Sequence, residues 1–112
     1  MISGVHAIVF SPHAEAVRAF FRDTLGLPNV DAGEGWIILA LLPAELAVHP
    51  ADESRNELYL LCDDLDATVK ALAAKGVELA RPITQQSWGR LTAIRLPDGS
   101  ELGLYQPSHL RP

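Results

Sequence analysis

The chain has 112 residues, 48% of them hydrophobic and 21% charged, a size and balance that give one modest globular core and exclude a disordered chain. The formal net charge is -5 and lysine and arginine form no cluster, which excludes a phosphate-tracking nucleic-acid surface. One cysteine, Cys62, excludes an internal disulfide framework and a cysteine-based zinc site, and no apolar run approaches the ~20 residues that span a bilayer.

The N-terminus carries no charged region leading into a long apolar stretch, so no secretory signal is read and a cytoplasmic setting is expected. Residues 5–10 form a short branched and aromatic run that predicts a strand. Ser11-Pro12 then offers a helix N-cap and first turn. Val17, Phe20, Phe21 and Leu25 make one apolar stripe, and Gly26 ends the helix. Residues 28–35 are polar and hold at most an edge strand. Residues 36–42 predict a buried strand with Trp36 in the core, Pro43-Ala44 a turn, and residues 45–49 another strand closed by Pro50.

Residues 51–56 are a polar linker, after which the pattern restarts. Residues 57–62 predict a strand, with Cys62 as a buried, inert thiol. Asp63, Asp64 and Asp66 supply cap and first-turn carboxylates for a helix whose stripe is Leu65, Val69, Leu72 and Ala73, stopped at Gly76. A short strand at 77–80 follows, then an irregular loop over 81–89 that holds Pro82 and Trp88. Strands at 91–96 and 101–105 flank the turn Pro97-Asp98-Gly99-Ser100, and the tail 106–112 is read as loose. The two halves share one order of elements at a period of roughly fifty residues, an internal duplication signal. One βαβββ unit cannot cover both faces of its own sheet; two can place helices outside and enclose a cleft.

Three stretches carry a family resemblance: Phe-Phe-Arg-Asp-Thr-Leu-Gly-Leu at 20–27, Cys62-Asp63-Asp64-Leu65-Asp66-Ala67, and Leu96-Pro97-Asp98-Gly99-Ser100. In that order and at that spacing the chain resembles the vicinal-oxygen-chelate superfamily of glyoxalases, bleomycin-resistance proteins and extradiol dioxygenases. The resemblance implies an α+β fold of two tandem βαβββ modules, about 2–50 and 57–107, whose curved mixed sheets surround a cleft with helices outside, in a homodimer.

Metal-dependent members hold a divalent ion with four side chains, one on the first and one on the last strand of each module. Carried over by register, those positions are His6, Ala47, Glu57 and Gly103, so two of the four have no ligating atom. A slipped site would use His6, His49 and Glu57, with Glu101 as a further carboxylate, and His and carboxylate donors suit Fe, Mn, Ni, Co or Zn. A two-residue slip, however, moves a side chain roughly 6–7 Å along a strand. Glu57 or Glu101 would be the base in an enzyme.

Tyr59, Tyr105, Trp88 and Arg95 are the candidate ligand contacts, Trp88 as a wall or lid on its loop. Ala47 and Gly103 also leave room in the cup for an apolar ligand. The expected function is therefore a small-molecule binder of the bleomycin-resistance type that needs no metal cofactor. The alternative is a glyoxalase-like lyase or isomerase, or a dioxygenase, with one divalent ion.

Overall fold

Val17, Phe20 and Phe21 anchor the first helix, as their spacing requires, and all three are buried. The computed structural model describes residues 6–110. In it α1 (Ala14–Ala19) runs directly into a π-helical turn (Phe20–Thr24) in which the Leu25 N–H donates to the Phe20 carbonyl at 3.0 Å. The wider turn carries two consecutive phenylalanines inward, where their rings meet edge to face at 6.0 Å. Gly26 follows with φ +72°, the left-handed conformation that ends helices.

The expected cap at Ser11 is not formed, and helix α1 starts after His13 with no side-chain cap bond. Ser11 Oγ instead donates to Asp98 and accepts the His13 N–H. Bonds from Ser100 and Ser11 hold the Asp98 carboxyl down at about 2. The turn at 97–100 is thereby tied to the start of the first helix.

The edge strand expected within 28–35 is β1 (Asn29–Asp31), which pairs antiparallel with β2 (Ile37–Leu39). The strand expected over 36–42 is thus only three residues long, and it is not buried through. Trp36 is 68% exposed, with the Arg18 guanidinium 5.5 Å above its ring, rather than packed in the core. The strands expected at 6–10 and 45–49 carry no ladder, and Val5 lies outside the described residues.

The second half forms completely. Strand β3 (Tyr59–Leu61), helix α2 (Leu65–Ala73), and strands β4 (Leu79–Gln86), β5 (Gly89–Arg95) and β6 (Glu101–Pro107) make a βαβββ unit. The sheet order is β3-β6-β5-β4, with β3 parallel to β6 and the other pairs antiparallel. Asp64 caps α2 by accepting the Ala67 N–H at 3.1 Å. Gln106 Oε1 accepts the Leu65 N–H, which ties the start of α2 to the end of β6.

The loop expected at 81–89 is mostly strand. β4 runs through it with register shifts on either side of Arg81, which accommodate Pro82, a residue with no N–H to give a ladder. Only Ser87 and Trp88 form the turn.

Side chains alternate across the sheet. Leu102, Leu104 and Ile94 point to the back, where they pack with Leu65 and Leu72 of α2 and with Val17, Phe20 and Phe21 in one core. Cys62 lies in that core, and burial pushes its thiol up, as expected of an inert cysteine. Both helices therefore serve one face of the four-stranded sheet. The mixed α+β architecture expected from the sequence holds, and the front face of the sheet is free to carry a site.

Candidate functional site

The front face is set by register. Tyr59 lies opposite Gly103, and Leu61 opposite Tyr105. With no β-carbon at Gly103, the Tyr59 ring lies directly across that backbone. The room expected at Gly103 for a ligand is thus occupied by Tyr59. The Tyr59 hydroxyl donates to Glu57 Oε2 at 3.0 Å, and Arg55 Nε approaches Glu57 Oε1 at 3.2 Å. The Tyr59 bond, and after it the Arg55 bond, holds the Glu57 carboxyl below the usual carboxylate range. Burial first, then the bond to Glu57, pushes the Tyr59 phenol up.

Tyr105 continues the strip. Its ring meets Tyr59 at 6.3 Å and Trp88 at 5.3 Å, both edge to face, and its hydroxyl donates to the Trp88 carbonyl at 2.8 Å. Trp88, 43% exposed at the β4–β5 turn, thus meets the strip through both its ring and its backbone carbonyl. His109, in the tail read as loose, stacks on Tyr105 at 5.7 Å and lies 3.7 Å from Glu45. Burial, and the charge of Glu45 after it, raises the Tyr105 phenol.

The other end of the face is charged. Arg95 lies opposite Glu101 in the β5–β6 ladder, with the charged atoms 3.9 Å apart, and Arg81 closes on Glu101 at 3.0 Å from β4. The front face thus joins a strip of rings to an acid–arginine cluster, an arrangement able to take a flat molecule and to offer donors and an acceptor at one end.

The structure brings Tyr59, Tyr105, Trp88 and Arg95 onto or beside this face, together with Glu57 and Glu101. His6 and His49 lie exposed outside any strand, as does Ala47. Among the described residues no three His, Cys, Asp or Glu side chains converge as ion ligands. Glu57 and Glu101 already hold arginines, and a carboxylate depressed as Glu57 is makes a weak base. The donor set His6, His49, Glu57 and Glu101 does not fit a divalent ion as this chain places it.

Arg81, Glu45 and His109 were missed by sequence reasoning. Arg81 was read as part of an irregular loop because of Pro82, and the register shifts on either side of it leave no period-2 signal that could have found it. No local signal marks Glu45 or His109, which meet across more than sixty residues. Two depressions lie off the front face, one behind the sheet between Phe20, Lys75 and Leu96, the other an apolar strip across Val30 and Ile38.

The model of the Glyoxalase/Bleomycin resistance protein/Dioxygenase superfamily matches residues 4–104. Among solved structures the chain is similar to TnmS3, an antibiotic binding protein from Streptomyces sp. CB03234, with 26% identity, 96% of this chain and 100% of that one covered, and a TM-score of 0.65. It is similar to a superfamily member from Sphaerobacter thermophilus DSM 20745, with 25% identity, 94% and 98% covered, and a TM-score of 0.63. A glyoxalase/bleomycin resistance protein from Streptomyces sp. CB03234 shares 28% identity over 83% of this chain and 90% of that one, with a TM-score of 0.58. No curated protein gives a significant match.

Proposed function

The chain belongs to the glyoxalase/bleomycin resistance protein/dioxygenase superfamily, and on that premise we propose that it binds a planar small molecule against its front face without needing a metal ion. One observation carries the reading: Tyr59, Tyr105 and Trp88 form a continuous ring strip beside Arg81, Arg95 and Glu101. Base-like planar groups stack on such rings, and the charged end orients polar substituents. The likeness to an antibiotic binding protein supports a ligand of that size class. A metal-dependent lyase, isomerase or dioxygenase would instead require an ion to displace Arg55 and Arg81 from the two carboxylates.

One chain supplies one wall, so a homodimer belongs to the same reading. The setting proposed is cytoplasmic, where the free buried thiol of Cys62 stays reduced. Among the described residues no helix is long and apolar enough to cross a membrane.

The test is titration of chelator-treated protein with a panel of planar aromatic compounds, read by tryptophan fluorescence. Saturable quenching is expected. Trp88→Ala should weaken binding of the best compound by up to about tenfold, the worth of one aromatic contact. Unchanged affinity in Trp88→Ala rejects the ring strip as the binding wall. Elemental analysis after incubation with Fe, Mn, Ni, Co or Zn should find no retained ion; one ion per chain, lost in His6→Ala, would restore the enzyme reading.

A further inference from the structure

Three arginines gather at one end of the front face, although the chain carries a net charge of -5 and its lysines and arginines are scattered along the sequence. Arg95 lies at the end of β5, with Glu101 opposite it at the start of β6. Arg81 starts from β4, and its guanidinium crosses β5 to meet Glu101 at 3.0 Å. Arg55 meets Glu57 at 3.2 Å just before β3. The Glu57 carboxyl is lowered first by the Tyr59 bond, then by Arg55 and last by the charge of Arg81, which links the ion pairs into one cluster. The three guanidinium groups and two carboxylates joined in this way leave one positive charge in excess.

That charge is open to a ligand. Glu101 is shared unequally: Arg81 holds it at 3.0 Å, Arg95 only at 3.9 Å, and Arg95 Nη1 donates to the Gly99 carbonyl at 3.0 Å. A guanidinium carries its N–H donors in a planar fork that matches a carboxylate, and the Arg81 and Arg95 side chains are 56% and 46% exposed. The rings lie within reach of that fork. Tyr59, Gly103, Ala93 and Arg81 form one row across the sheet, so Tyr59 leans in from β3 and Arg81 from β4 over two residues of little bulk. Both reach β6, Tyr59 at Gly103 and Arg81 at Glu101. Those two residues of one strand share a face, roughly 6–7 Å apart. A flat molecule of fused rings set beside Tyr59 therefore brings a substituent on its far edge to the guanidinium.

We propose that the ligand of this face is a planar aromatic anion, with its rings against Tyr59 and Tyr105 and its carboxylate on the guanidinium groups of Arg81 and Arg95. The inference rests on the reading of the front face as a ligand wall, and it names the charge of what that wall takes. A carboxylate beside Arg81 and Arg95 neutralises the excess charge of the cluster and does not have to displace Glu101, because each guanidinium has more N–H donors than Glu101 and Gly99 engage. A neutral molecule of the same shape gains the ring contacts alone, and a cation meets like charge.

The experiment compares three probes of one shape: 2-naphthoate, the neutral 2-naphthamide and the cation of 2-naphthylmethylamine. Each is titrated into the full chain near neutral pH and read by calorimetry. Naphthoate should bind about tenfold more tightly than the amide, and the cation more weakly than either. Arg81→Gln and Arg95→Gln should each bring naphthoate toward the affinity of the amide. Both variants should leave amide binding unchanged, which reports that the sheet is still folded. Added salt should weaken naphthoate and spare the amide, a readout that needs no variant. An amide that binds as tightly as naphthoate, or a naphthoate affinity untouched in both variants, overturns the proposal. The two readings fail separately. Equal binding of all three probes, weakened in Trp88→Ala, leaves the planar ligand and removes its charge. No binding of the three while other planar compounds quench does the same. No saturable binding by any planar compound removes the ligand reading, and this inference with it.

Discussion

A β-carbon added at Gly103 would overlap the ring of Tyr59. Gly103→Ala is therefore expected to swing that ring off the sheet and break its bond to Glu57, at about 1–3 kcal/mol, the range for overpacking. The readout is the Glu57 carboxyl, followed by NMR. Its folded-state value is now depressed, so the bond adds stability above the unfolded value and loses it as pH falls through the folded one. In Gly103→Ala, and in Tyr59→Phe, the midpoint should rise toward the ordinary carboxylate range. An unmoved midpoint would mean that Arg55 alone sets it. Tyr59 is a candidate ligand contact in the sequence because it is a large aromatic outside the helix stripes. Its posture is not legible there, because that depends on a glycine forty-four residues away being its cross-strand neighbour.

The two helices show how far local sequence reaches. Helix α2 begins at an aspartate that accepts a backbone N–H three residues on, and every group involved is local. Replacing Asp64 by Ala should cost about 1 kcal/mol and lower the Tm by several degrees; a Tm unchanged in thermal denaturation would show that the bond to Gln106 suffices. Helix α1 looked equally well capped. Its serine is drawn away by Asp98, a partner 87 residues distant that no local pattern contains. Strand β4 failed in the opposite sense. Pro82 reads as a loop signal, but at a sheet edge two register shifts absorb it.

For the molecule as a whole, the homodimer proposed with the ligand reading has a thermodynamic signature. If folding is linked to pairing of copies, stability depends on concentration. A hundredfold rise in protein concentration should add about 2.7 kcal/mol per dimer and raise the Tm measurably. A Tm constant over that range would place the stability in the single chain, in the core that α1, α2 and the back of the sheet already share.

The sequence by itself determined the class of fold, the helix that starts at Asp64, the strands around the turn at 97–100, and the residues of the ring strip. The helix and the strands follow from short-range periodicity and cap chemistry, the class of fold from the repeated order of elements and the family resemblance, and the rings from being the large aromatics outside the helix stripes. Only the tertiary structure decided which of those residues meet. It placed Arg81 and Arg95 on Glu101, Arg55 and Tyr59 on Glu57, and left His6 and His49 outside any strand. The reason is physical: a strand sequence specifies which side chains share a face, but not which strand lies beside it, and the partners of a carboxylate are chosen by that neighbour.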